Sequence, residues 1–268
     1  MHLKRWITGI IAVPILIFLI ACQLRLPFYV LLYLASLAGL IEFYGITGPD
    51  LPRFVRWSSC FLTLLLFVVI FLRQILLVPV VIMLWAFVPM VFYMLTHPDH
   101  NQRWTSDMGK AVIGPLYVSI PLVILLHIDR YYPKGGIWIL FLLAVVFASD
   151  TGAFYTGKLF GRHKLHEAIS PGKTWEGAIG GLLSSMVVAF FFLRTIPVAR
   201  FDANILILAA SLSVAGQIGD LTESMLKRNH GVKDSGHILP GHGGILDRID
   251  GLLFCIPVLY VYLTFCVF

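Results

Sequence analysis

Five carboxylates occupy unusual places in this 268-residue chain. Glu42 and Asp150 lie within apolar blocks, Asp220 closes another, and Asp247 and Asp250 immediately precede a further one. Ionisable groups are costly inside a membrane span, which makes them functional candidates by default, although a satisfied structural role is the competing reading. Asp220 and Glu223 are three residues apart, as are Asp247 and Asp250, so each pair shares a face if its stretch is helical. Oxygen-only pairs of this kind suit a hard cation such as Mg²⁺, which takes one or two carboxylates together with substrate phosphates. The bland alternative, helix-end charges solvated at the interface, is as good for any one of them. Their shared depth favours a site for the set.

The segment Ser224–Asp250 mixes Lys227, Arg228, Lys233 and Arg248 with closely spaced glycines, among them Gly241, Gly243 and Gly244. Glycines admit backbone N–H groups to an anion, and lysine and arginine add charge-assisted hydrogen bonds. The mixture suits phosphate, although basic loops with turn glycines are also ordinary in membrane proteins. A second polar stretch, Ser170-Pro171-Gly172-Lys173-Thr174, ends like a P-loop, but Glu167 stands where that motif needs its first glycine and no soluble α/β unit surrounds it. Ser170, Ser224 and His242 read more simply as caps, turn formers or phosphate contacts than as nucleophiles or bases.

The elements that position these groups follow from composition. The chain is 59% hydrophobic and 13% charged, with mean hydropathy +0.88, whereas soluble domains run about 45–50% apolar and about 25% charged. Its apolar blocks lack the polar alternation of a surface helix. The expected fold is therefore all-α and polytopic: one membrane-embedded domain over residues 1–268, with N-terminal helices in 1–135 and the catalytic helices and loops in 136–268. Crossing a hydrocarbon core of about 30 Å takes about 20 residues, and nine blocks qualify: Trp6–Gln23, Pro27–Ile46, Trp57–Leu72, Ile75–Leu95, Ala111–Ile128, Gly136–Tyr155, Gly177–Val198, Ala203–Gly219 and Gly251–Phe268. Lys4 and Arg5 ahead of an apolar run ending in Ala21-Cys22 resemble a lipoprotein signal, but the apolar segments that follow favour a first transmembrane anchor.

Nine spans place 14 of the 20 basic residues on one side, so the N-terminus and both long polar loops are expected in the cytoplasm. The four cysteines lie inside apolar blocks and read as small hydrophobes. The net charge of +6 points to headgroups and phosphates, with no nucleic acid expected.

The spacing of Ser224, Lys227, Arg228, Lys233, Asp234, Gly236, Leu239, Pro240, His242, Gly243, Gly244, Asp247, Arg248 and Asp250 resembles the signature of the phosphatidate cytidylyltransferases, bacterial type, over 27 residues without a departure. The stretch from Ser170 to Gly177, and Asp150, Gly152, Tyr155 and Gly161-Arg162 before it, resemble further elements of that family. The resemblance implies a nucleotidyltransferase of phospholipid biosynthesis in the bacterial inner (plasma) membrane. CTP and phosphatidic acid would be its substrates, Mg²⁺ its cofactor with room for a second cation, and a homodimer is compatible with the family. On that basis Asp220 and Asp247 are expected as principal metal ligands, with Asp250, Glu223 and Asp150 secondary. Asp220, Asp247, Lys227 and Arg228 form the expected catalytic set, and Lys173, Ser170, Lys233, His242, Gly243, Gly244 and Arg248 the expected substrate contacts. A secondary transporter and another Mg²⁺-dependent membrane phosphotransferase are the rival readings. Acidic residues crowded toward one end of the helices, and no evident internal repeat, weigh against the transporter.

Overall fold

The structure, a computed structural model, describes residues 14–96, 103–196, 203–236, 238 and 243–267, with Arg103 by its backbone alone. In chain order it contains α1 (residues 14–21), α2 (Arg25–Thr47), α3 (Arg53–Phe71), a 3₁₀ turn at Ile75–Leu77 leading into α4 (Val78–Thr96), α5 (Arg103–Tyr131) and α6 (Gly135–Phe160). A hairpin of β1 (Lys164–His166) and β2 (Ser170–Thr174) follows, then α7 (Trp175–Thr195), α8 (Ala203–Asn229) and α9 (Leu246–Tyr262), which ends in a wider turn at Leu263–Val267. Eight of these helices are long and apolar enough to cross a membrane, the turns at Ile75–Leu77 and Leu263–Val267 counted with α4 and α9. They answer to the second through ninth expected spans; of the first, residues 6–13 lie outside the described residues and the remainder contains α1.

Two differences from the expected layout bear on the site. The hairpin, in which Lys164 pairs with Thr174 and His166 with Ser170, adds a short antiparallel ribbon to an otherwise helical fold. The helices also outrun their apolar blocks: α8 continues ten residues past Gly219, and α9 begins five residues before Gly251. Hydropathy marks where lipid touches the chain, whereas the backbone hydrogen-bond ladder continues into the aqueous layer. Asp220, Glu223 and Lys227 are thus helical.

Lipid tails are as apolar as leucine, so membrane helices associate through close packing and interhelical hydrogen bonds. The pair α6 and α7 shows this. Gly177, Gly180 and Gly181 of α7 face Ser149, Ala153, Thr156 and Gly157 of α6, and a Cβ added at Gly181 would lie 2.8 Å from the Ser149 carbonyl oxygen. Buried hydroxyls tie the remaining helices: Ser36 Oγ donates to Ser119 Oγ (3.0 Å), which lies 3.2 Å from Thr63 Oγ1, joining α2, α5 and α3. Ser149 and Ser213 join α6 to α8 at 2.7 Å. The apolar core between them includes Leu40, Leu122, Leu126, Phe141, Leu142, Leu212, Cys255 and Ile256, while Met83, Phe87, Val91 and Met94 of α4 point outward. Gly181→Leu is expected to destabilise the fold by about 1–3 kcal/mol through overpacking, read as a lowered thermal midpoint in detergent.

Candidate active site

The last turns of α8 and the first turns of α9 converge because neither helix carries bulk where they cross. A Cβ at Gly219 would lie 2.7 Å from the Asp250 carbonyl oxygen, and one at Gly251 would lie 3.1 Å from that of Gly216. The close approach sets Asp220, Glu223 and Lys227 of α8 beside Asp247 and Asp250 of α9. Lys227, largely buried, forms ion pairs with both Glu223 and Asp247, at 2.7 Å to Asp247 Oδ1. Glu223 is 1% exposed, so Lys227 offsets a carboxylate that water does not reach.

Asp247 also organises the loop before it. The Ser235 N–H donates to its Oδ2 at 2.9 Å and its Oδ1 at 3.2 Å, and the Gly244 N–H donates to Oδ2 at 2.9 Å. Gly243 takes φ +78°, a conformation that disfavours side chains, and a Cβ there would press on Asp247 Oδ2. Below this lies Glu42 of α2, 5% exposed. Its carboxylate accepts from Ile245 N (3.0 Å), Leu246 N (2.8 Å) and Ser235 Oγ (3.1 Å), satisfying the free donors at the start of α9. Side chains at Gly236 or Gly244 would collide with Glu42, which explains both glycines. Glu42→Ala would leave three donors without their acceptor. It is expected to cost about 3 kcal/mol or more, at about 1–3 kcal/mol per stranded buried donor, and to disorder the loop, measured by hydrogen exchange at residues 235–247.

The remaining groups come from α6 and the hairpin. Thr174 Oγ1 caps α7 by accepting from Gly177 N at 3.1 Å. Glu176 accepts from the Arg162 and His163 N–H groups (3.1 and 3.3 Å) and lies 2.6 Å from His163 Nδ1, fixing the turn into β1. The hairpin so anchored directs Lys173 to Asp220, with Nζ 2.7 Å from Oδ2. That is an ion pair without hydrogen-bond alignment, and Nζ is buried, so the ammonium retains donors for a further anion. Asp150 stands across from the pair on the wall of a cavity of about 470 Å³, lined also by Gly157, Lys158, Thr174, Gln217 and Asp220. The charge of Asp220 acts on both Asp150 and Asp250.

Five carboxylates (Asp150, Asp220, Glu223, Asp247, Asp250) therefore gather around the ion-paired Lys173 and Lys227, with Lys158 exposed on the cavity wall, leaving surplus negative charge in a partly dehydrated place. Among the described residues no group of three His, Cys, Asp or Glu side chains forms a ready-made metal cage. Mg²⁺ does not need one, since it binds through one or two carboxylates and completes its shell with water and substrate phosphate. The donor set is all oxygen and carries surplus negative charge, so it fits such a cation. Among the described residues Asp220, Asp150, Asp250 and Glu223 receive no backbone donor from the signature loop, and of these Glu223 is closed off by burial and by Lys227; Asp247 has three donors already.

The structure thus brings Asp150, Lys173, Asp220, Glu223, Lys227, Asp247 and Asp250 to one end of the bundle, with Gly243 and Gly244 in the loop above. Arg228, Lys233 and Arg248 are exposed around that loop, Ser170 is half-buried in β2, and His242 lies outside the described residues. Ser224 Oγ reaches Asp220 only at 3.5 Å. Three contributors escaped sequence reasoning. Glu42 was legible as a buried acid but not as the cap of α9. Gln217 carried no signal beyond its polarity within an apolar block. Tyr117 of α5 has a buried hydroxyl without a hydrogen-bond partner among the described residues, within Coulombic reach of Asp220, Glu223 and Asp250.

A helical membrane bundle that gathers acidic and basic side chains at one end, with Gly243 and Gly244 held against Asp247 and Glu42, defines a membrane enzyme that handles phosphates. The chain matches the model of the cytidylyltransferase family over residues 3–266, and it belongs to that family. It is 33% identical to a phosphatidate cytidylyltransferase of Bacillus subtilis over 264 residues, 97% of each chain. It is also 38% identical to one of Haemophilus influenzae over 173 residues, 61% of this chain and 60% of the other. A third, from Staphylococcus haemolyticus, is 41% identical over 187 residues, 68% and 70% of the two chains.

Proposed function

We propose that the chain transfers the cytidylyl group of CTP to phosphatidic acid, forming CDP-diacylglycerol and pyrophosphate. A phosphate oxygen of the lipid attacks the α-phosphorus of CTP; the new P–O bond forms as the bond to the β-phosphate oxygen breaks, and pyrophosphate carries away the electron pair. The observation that carries this reading is the cavity bounded by Asp150, Lys173 and Asp220 beside the loop that Glu42 and Asp247 hold. A phosphomonoester, with its second pKa near about 6, is already mostly dianionic at neutral pH, so no general base is required. The work lies in bringing two anions together and supporting charge on the leaving group.

Each residue then has a physical task. Lys173 directs its unused donors at a phosphate while Asp220 holds it in place, and exposed Arg228, Lys233 and Arg248 draw the triphosphate toward the loop. Asp220, with Asp150 and Asp250, would hold Mg²⁺, which when bound neutralises phosphate charge and orients the nucleotide. Lys227, paired on both sides, keeps Asp247 in the position that shapes the loop. The positive-inside count supports a cleft on the cytoplasmic face of the bacterial inner membrane, where CTP arrives from water and the lipid sideways from the leaflet.

Purified protein in phosphatidic acid liposomes should release pyrophosphate with CTP and Mg²⁺. EDTA should abolish release and excess Mg²⁺ restore it. Equal turnover with ATP, or solute flux without pyrophosphate release, would overturn the assignment.

A further inference from the structure

At the end of the bundle away from the cleft, α2, α3 and α5 leave an apolar groove of about 200 Å³ opening to the lipid. Its walls include Leu26, Tyr29, Val30, Leu64, Val68 and Phe71. Tyr44 OH donates to the Ala111 carbonyl near the Glu42 end of α2, whereas Tyr29 OH donates to Asp129 Oδ2 at 2.6 Å at the other. Tyr29 and Glu42 are thirteen residues apart, about 20 Å along the helix.

Two arginines stand against the groove's wall, Arg130 on Phe71 and Arg25 near Tyr29. Arg130 stacks on Phe71, with Cζ 4.6 Å from the ring centroid, and its buried Nε has no hydrogen-bond partner among the described residues. Arg25 is half-exposed and held only loosely by Asp129, at 3.9 Å. Both charges act on Tyr29 in the groove wall, and Arg73 lies over Tyr131 beside them, 5.5 Å from its centroid. Asp129 offsets one of Arg25 and Arg130, leaving net positive charge beside a slot that opens sideways to acyl chains. Guanidinium forks match phosphate bidentately, and basic pockets between membrane helices hold anionic headgroups.

We infer that this groove is a binding site for an anionic phospholipid, one acyl chain between α2 and α3 and its phosphate on Arg25 and Arg130, on the membrane face opposite the catalytic cleft. Net positive charge beside the groove selects against the ammonium of a zwitterionic headgroup. The site is separate from the substrate cavity, so it does not depend on the proposed reaction.

The test is thermal unfolding of the purified chain in detergent, titrated with phosphatidylglycerol or phosphatidylcholine. Phosphatidylglycerol should raise the midpoint saturably and phosphatidylcholine should not. Arg25→Gln with Arg130→Gln should raise the half-saturating concentration by at least about tenfold, as expected when charge-assisted hydrogen bonds are removed. Val68→Trp, which fills the groove and keeps every arginine, should abolish the saturable rise, and it decides alone should the arginine variant not fold. Equal response to both lipids, or an unchanged titration in either variant, would overturn the inference. So would a change in oligomeric mass in Val68→Trp without loss of the lipid response, which would make the occupant a second copy of the chain.

Discussion

Replacing Asp220 with Asn should lower cytidylyl transfer by about a hundred-fold or more while leaving the thermal midpoint within a degree or two of the parent. A bound cation stabilises transition-state charge by several kcal/mol, and about 2.7 kcal/mol is a hundred-fold in rate. Asn retains the size of Asp and one oxygen, but it surrenders the charge that Lys173 faces at 2.7 Å and that a bound cation would require. Asp220 is half-exposed in the cleft, so folding depends little on it. Raised Mg²⁺ should recover part of the lost activity, a response that misplacement of the hairpin would not produce. Activity near the parent value in folded Asp220→Asn protein would remove this residue from the cation site.

Lys227→Met should behave oppositely, failing first in stability. Its ammonium stands between Glu223 and Asp247, and removing one member of a buried ionic set leaves uncompensated charge at a cost of about 3–5 kcal/mol. Asp247 still has the N–H groups of Ser235 and Gly244, whereas Glu223 is left with only the Asp247 carboxyl beside it and no backbone donor among the described residues. Glu223→Leu combined with Lys227→Met should therefore recover much of the loss, a non-additivity measurable by a double-mutant cycle. Purely additive losses would show that the three groups do not act as one set. Because Asp247 shapes the loop, activity should fall in Lys227→Met even below its unfolding temperature.

The two variants separate groups that composition had merged. Asp220 and Asp247 looked equivalent as acids at the edges of apolar blocks with a partner three residues on, and both were expected as principal metal ligands. In the fold Asp247 accepts from two N–H groups and a lysine, while Asp220 faces the cavity with one lysine. Linear spacing cannot distinguish them, because the difference lies in donors brought by residues up to twenty positions away. Glu42 is the clearest case. Its partners Ile245 and Leu246 lie more than two hundred positions along the chain, and only packing of α2 against α9 reveals why a buried acid is tolerated there.

Much else was legible without coordinates. Long uninterrupted apolar blocks admit one solution, helices whose backbone groups are satisfied internally while side chains meet lipid, and the described residues contain eight such helices. The family signature was readable because its residues lie in one contiguous segment, 224–250, that joins α8 to α9. What sequence by itself determined is therefore the membrane bundle, its family and the residue types gathered near one end, all properties of local composition and order. Tertiary structure alone decided which carboxylate faces the cavity, which lysine is locked between two acids, and that α2 caps α9. Those roles depend on glycine-permitted approaches between helices distant in sequence, and a charge takes its function from the donors that surround it.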